Sequence, residues 1–175
     1  MGFLIETERL ALRPVLLTDL PAMHHIFTNE LGRKYLSDNQ IMSQEQVQQF
    51  ITISQQTFAE QQYGLWIIHQ KSDNEVVGVC GLWPMTDDRQ PELLYALLPE
   101  FTGNGFATEA VAEIIRYAFI RLSFAYIVAS CDAPNVDSIQ VAERLGMTRF
   151  REETISGLPL VFFRLENRLP DDTAA

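Results

Sequence analysis

Hydrophobic positions in this chain recur with two periods, one of two residues and one near 3.6, and the switches between them mark out the elements. Residues 5–15 alternate around Leu10 and Leu12, with Arg9 and Arg13 between, and predict a strand. Thr18 and Asp19 then open a helix carrying Leu20, Met23, Ile26 and Phe27. Ser43 and Gln46 form a capping-box signature ahead of Val47, Phe50, Ile51 and Phe58, predicting a second helix. Residues 65–70 and 76–83 read as a hairpin with its turn at 72–75, and residues 29–40 and 85–91 as variable loops. An apolar run at 93–98, opened by Glu92, predicts a central strand over 92–98. After it, Phe106, Ala110, Val111, Ile114, Ile115 and Ala118 form a wide helical stripe. Residues 125–131 predict a buried strand, 138–145 a short helix closed by Gly146, and 148–154 with 160–165 a last hairpin. This is one mixed α/β (α+β) domain over residues 1–169, with a polar tail at 170–175.

Between the central strand and the striped helix stands Phe101-Thr102-Gly103-Asn104-Gly105-Phe106-Ala107-Thr108. The first amides of a helix lack internal partners, and the aligned peptide dipoles add partial positive charge there. Two glycines let a ligand approach the main chain closely. The combination predicts a phosphate or pyrophosphate site. No Gly-Lys-Ser/Thr and no third glycine follow, which excludes the two best-known nucleotide loops. From Pro99 to Ile115 there is no Lys or Arg, whereas Glu100, Glu109 and Glu113 are acidic. The loop's own residues therefore offer a phosphate main-chain amides and no ion pair.

Charge changes the picture of the partners. Thirteen basic residues against 23 acidic ones give a net charge of −10. Such a surface repels nucleic acid and anionic membranes and favours a cationic acceptor such as an amine. No apolar stretch approaches the ~20 residues needed to span a bilayer, and no basic region precedes an apolar block at the N-terminus. Cys80 and Cys131 are too far apart for a metal knuckle or redox pair. These features predict a cytoplasmic protein, without a metal, acting as a monomer or homodimer.

The element order and three sequence blocks resemble the GNAT family of acyl-CoA-dependent N-acetyltransferases. Thr7-Glu8-Arg9-Leu10-Ala11-Leu12-Arg13-Pro14 resembles the opening strand of the branch that includes the ribosomal-protein N-terminal acetyltransferases. Residues 98–110 resemble the family's acetyl-CoA loop, and 135–147 its last helix with the following turn. The resemblance implies a mostly antiparallel central sheet flanked by helices, with acetyl-CoA bound at the end of the central strand. It implies that the backbone of Leu97 and Leu98 holds the pantetheine arm as an added strand. Amides of Gly103, Asn104, Gly105, Phe106, Ala107 and Thr108 would cradle the pyrophosphate, with Asn135 and Ser138 near the pantetheine and thioester. Arg144 is the residue placed to meet the 3′-phosphate. The chain departs from the family at Glu100, Thr102 and Asn104, where basic or amide residues are usual, and at Ala142, where many members carry a Tyr acid.

Amide formation needs a neutral amine, a stabilised oxyanion and a proton for the departing thiolate. Glu92, at the start of the central strand, is the candidate base, and Ser138 the candidate group on the thiolate side. His69 is a weaker base. His24 and His25 face different directions on a helix, and Asp132 reads as a loop cap. No histidine is arranged in sequence to activate Cys131, which favours direct transfer in a ternary complex. Trp66, Trp83 and Tyr95 read as core or hairpin packing. The alternatives are a non-catalytic acyl-CoA-binding or regulatory module and a phosphometabolite binder. The acceptor, a small amine or a protein N-terminus, is chosen by loops the sequence does not decode.

Overall fold

In the computed structural model, which describes residues 3–84 and 90–168, local signals become elements with identifiable caps. Helix α3 (Gln44–Gln61) starts in a reciprocal capping box: Ser43 Oγ accepts from Gln46 N–H while Gln46 Oε1 accepts from Ser43 N–H. Helix α4 (Phe106–Arg121) starts after Gly105, whose φ of 79° is the left-handed conformation a side chain disfavours. Strand β3 (Leu65–Gln70) buries Leu65, Trp66, Ile67 and Ile68 completely, because helices cover both of its faces.

On one face α1 (Leu20–Thr28) and α3 pack Met23, Ile26, Phe27, Val47 and Ile51 onto Leu65, Ile67 and Val79. On the other, α4 packs Ala110, Val111, Ile114 and Ala118 onto Leu12, Ile68 and Leu82. The sheet has eight strands in the order β1-β2-β3-β4-β5-β6-β8-β7. They are β1 (Ile5–Glu6), β2 (Leu10–Pro14), β3, β4 (Val76–Trp83), β5 (Glu92–Leu97), β6 (Tyr126–Asp132), β7 (Thr148–Ile155) and β8 (Leu158–Glu166). Every pairing is antiparallel except β5 with β6. That parallel contact is confined to Glu92↔Val128 and Leu93↔Ala129, after which the two strands part. The sheet thus opens as a wedge at its middle, with β5 still held to β4 along its whole length.

Three sequence expectations change. Residues 5–15 are two short antiparallel strands, because the chain turns back at Thr7, whose N–H donates to Leu10 O. Residues 29–40 are not simply a loop: α2 (Glu30–Leu36) starts where Asn29 Oδ1 accepts from the N–H groups of Leu31 and Gly32. Gly32 is required there, since a Cβ would lie 1.8 Å from the Ile26 carbonyl oxygen. The last helix, α5, begins earlier than expected and runs Val136–Arg144. Of the loop expected at 85–91, residues 85–89 lie outside the described residues, as does the tail at 170–175. No helix among the described residues is long and apolar enough to cross a membrane.

Candidate active site

The wedge between β5 and β6 is the floor of a cleft of about 500 Å³, walled by α2, the Gly103–Gly105 loop, the first turn of α4 and the inner face of α5. Its chemistry starts with β5. Leu98 N–H donates to Val77 O at 2.9 Å, so by strand alternation Leu94 and Ala96 also turn their main-chain groups toward β4. Tyr95 and Leu97 present theirs to the open side, where no strand pairs. Leu98 itself is occupied within the fold, its carbonyl accepting from Phe101 N–H, and it does not line the cleft. Leu97 does.

The glycine loop closes one end. Gly103 and Gly105 both have positive φ, 76° and 79°. They line the cleft with Phe106, Ala107 and Thr108. Thr108 Oγ1 is buried with no hydrogen-bond partner, although it stands in a cleft wall. An orphaned hydroxyl costs stability, and a ligand acceptor in the cleft would satisfy it. Asn104 is turned away from the cleft: its side chain donates to the carbonyls of Phe101 and Thr102, and its own carbonyl accepts from Arg9 Nη1. The loop is therefore not without cationic contact. Arg9 arrives from the β1–β2 turn, a neighbour no local pattern in the loop announces.

On α5, Asn135 Oδ1 caps the helix by accepting from Ser138 N–H at 3.2 Å, and Ser138 O accepts from the Tyr95 phenol at 3.1 Å. Asn135, Ser138 and Arg144 all line the cleft. Tyr95 and Trp83 pack against the core as expected, Trp83 stacking on Phe50, and line the cleft as well. Burial pushes the Tyr95 hydroxyl up to about 12, so it stays protonated. Burial likewise pushes the Cys131 thiol, in the same cleft, up to about 11. A thiol held protonated is a poor nucleophile.

Glu92 lies where β5 and β6 still pair, and its carboxylate accepts from Ser130 Oγ at 2.9 Å. Both line the cleft. His69 does not: its Nδ1 meets the Asn74 carbonyl at the far hairpin turn, and His24 Nε2 meets the Met42 carbonyl. Near the ends of α2 and β6, burial and the Asp38 carboxylate raise the Asp132 carboxyl above its ordinary value, against the pull of Lys34. Among the described residues no group of three or more His, Cys, Asp or Glu is arranged to hold a metal ion.

The fold and sequence match known proteins. Over 171 residues the chain is 27% identical to the N-acetyltransferase YoaA of Bacillus subtilis, itself uncharacterised, covering 97% of this chain and 93% of that one. A Bacillus licheniformis relative, the uncharacterised N-acetyltransferase p20, is 28% identical over 146 residues, 83% of this chain and 82% of its own. Among solved structures, a GNAT-family acetyltransferase from Bacillus anthracis superposes with a TM-score of 0.80 at 19% identity, covering 95% of this chain and 100% of its own. The ribosomal-protein α-N-acetyltransferase RimL in complex with coenzyme A superposes with a TM-score of 0.77 at 19% identity, over 93% of this chain and 97% of its own. The sequence profile of the acetyltransferase (GNAT) domain matches residues 9–148, and the chain belongs to the GNAT family of acetyl-CoA-dependent N-acetyltransferases.

Proposed function

We propose that the protein acetylates a primary amine, of a small molecule or a protein N-terminus, by direct attack on acetyl-CoA in a ternary complex. The observation that carries this is one continuous cleft with an anion loop at one end and the Glu92 carboxylate in its floor. Residues 1–169 act as one acetyltransferase unit. The pyrophosphate is received by the amides of Gly103, Gly105, Phe106, Ala107 and Thr108, the pantetheine by the free edge of β5 at Leu97 and by Asn135, and the 3′-phosphate by Arg144. Thr108 Oγ1 gains a partner.

Glu92 takes a proton from the ammonium form of the acceptor, directly or through a water, leaving the nitrogen lone pair free to attack the thioester carbonyl. Ser130 holds that carboxylate in place. The Ser138 hydroxyl stands on the thiolate side, where the departing sulfur must be protonated. Cys131, protonated at neutral pH, supports direct transfer over an acyl-enzyme. RimL, similar in fold, acts on a protein α-amine, which supports an amine acceptor.

Thiol release measured with acetyl-CoA and a panel of amines tests the reading. Turnover with at least one amine is expected; binding of acetyl-CoA with no turnover across the panel would favour the non-catalytic acyl-CoA-binding module. In parallel, acetyl-CoA at ~100 times its dissociation constant should add about 2.7 kcal/mol of stability, a melting shift of several degrees that ATP and NAD do not give. No shift with millimolar acetyl-CoA refutes the site altogether.

A further inference from the structure

Two left-handed residues in an exposed loop have little intrinsic reason to stay in one conformation, and the loop's own bonds are few. Asn104 Nδ2 reaches the Phe101 and Thr102 carbonyls at 3.3 and 3.2 Å, and Thr102 Oγ1 reaches Pro99 O. The strongest restraint comes from outside. Arg9 donates from Nη1 to Asn104 O at 3.0 Å and from Nε to Glu109 Oε2 at 2.7 Å, with Nη2 2.5 Å from the same carboxylate oxygen. Its guanidinium carbon lies 4.5 Å from the centre of the Phe106 ring. One side chain therefore grips the loop before Gly105, the first helical residue after it, and the first turn of α4.

Glu109 is the other half of the device. Its carboxylate also accepts from Thr7 Oγ1 at 2.5 Å and from Arg9 N–H at 3.0 Å. Burial pushes this carboxyl up, but the bonds from Thr7 and Arg9 outweigh burial and hold it below its ordinary value. Glu109 is thus ionised at neutral pH and cancels the Arg9 charge. Arg9 is also absent from the residues that line the cleft. A neutralised guanidinium behind the loop is built to shape the loop, not to bind phosphate as a free cation.

We infer that Arg9 is a positioning residue for cofactor binding: by spanning Asn104 O and Glu109 it holds the first amides of α4 in the geometry that receives the pyrophosphate. This rests on the proposed acetyl-CoA site. The expected consequence is a preorganised loop whose ordering cost is met during folding and not during binding.

Calorimetric titration of coenzyme A into wild type, Arg9→Ala, Arg9→Lys, Glu109→Gln and the double variant Arg9→Ala/Glu109→Gln, at low and high salt, tests it. Arg9→Ala and Glu109→Gln should each weaken binding by about tenfold, and the double variant should be no weaker than the worse single, since both remove one shared contact. Arg9→Lys should recover only part of the loss, because a point ammonium cannot bridge two acceptors as a planar fork does. The salt slope should stay that of wild type, and KM for acetyl-CoA should rise more than kcat falls. Should Arg9→Ala fail to fold, Glu109→Gln and Arg9→Lys carry the same comparison. Unchanged affinity in Arg9→Ala, or in Glu109→Gln and Arg9→Lys together, overturns the proposal. Weakened binding by Arg9→Ala with tighter binding by Glu109→Gln and a flatter salt slope also overturns it, by making Arg9 a direct phosphate ligand. Wild type that binds no coenzyme A refutes the cofactor site itself, a result distinct from any difference between variants.

Discussion

Gly105→Ala isolates the backbone contribution of the glycine loop to the proposed cofactor site. Gly105 stands at φ 79° as the residue before α4, and an added Cβ meets only Arg9 Nη2, at 3.5 Å, an ordinary contact. Sterics with the cleft walls are thus nearly absent, and the perturbation is the left-handed angle, which costs an L-residue roughly 1–2 kcal/mol. The loop is exposed and can relax by leaving that angle, which turns its amides away from the cleft. Apparent affinity then falls by the fraction that remains competent, so 1–2 kcal/mol becomes a loss of about 5–30-fold for coenzyme A. Gly157→Ala is the control. That glycine has φ 82°, nothing within 4 Å of its Cβ position, and a place in the β7–β8 turn away from the cleft. It should lower the melting temperature by about 2–8 °C, given 2–4 °C per kcal/mol for a domain of this size, and leave affinity intact. Calorimetry and thermal melts of the two variants decide. Gly105→Ala binding coenzyme A within about twofold of wild type, or Gly157→Ala losing affinity as much, refutes the reasoning.

Other outcomes follow from the same geometry. Glu92→Gln should lower turnover by about 10² to 10⁴ while coenzyme A affinity hardly moves, and should erase the acidic limb of the pH–rate profile; a retained limb with near-normal turnover demotes Glu92 to a structural charge. Gly78→Ala should destabilise by about 1–3 kcal/mol in denaturant melts, because its Cβ would lie 2.2 Å from the Ala96 carbonyl and push β4 off β5 beside the cleft. Asp19 accepts both Arg13 nitrogens at 2.7 Å and the Leu16 N–H. Burial pushes its carboxyl up, but these bonds hold it below its ordinary value, so its stabilisation is present above ~pH 4 and is lost as pH falls through the lower folded value. Asp19→Asn should therefore cost about 1–3 kcal/mol at pH 7, a gap that persists down to pH 4 and closes only below it; a gap that closes between pH 7 and 5 contradicts the assignment.

What the sequence determined by itself was most of what has a short period, the division of residues 5–15 into β1 and β2 excepted. The completely buried run Leu65–Ile68, the Ser43/Gln46 capping box and the stripe of α4 are local patterns, and the structure places each where the pattern puts it. The glycine loop was legible for the same reason, since a strand, two glycines and a helix start are neighbours in the chain. Helix α2 was hidden because seven residues with an internal glycine have no amphipathic period, and its glycine answers to a contact with Ile26. Tyr95 and Trp83 pack on the core as the sequence suggests, but that they also line the cleft was hidden, because an aromatic on a strand has the same sequence signature whether or not the neighbouring strand parts from it. Only tertiary structure decided that β5 and β6 separate after Leu93, and that separation turns a core strand into a cleft floor. Arg9 shows the limit most directly. It reaches Asn104 O across 95 positions of chain and pairs with Glu109 across 100, and contacts between residues so far apart impose no spacing that one sequence could reveal.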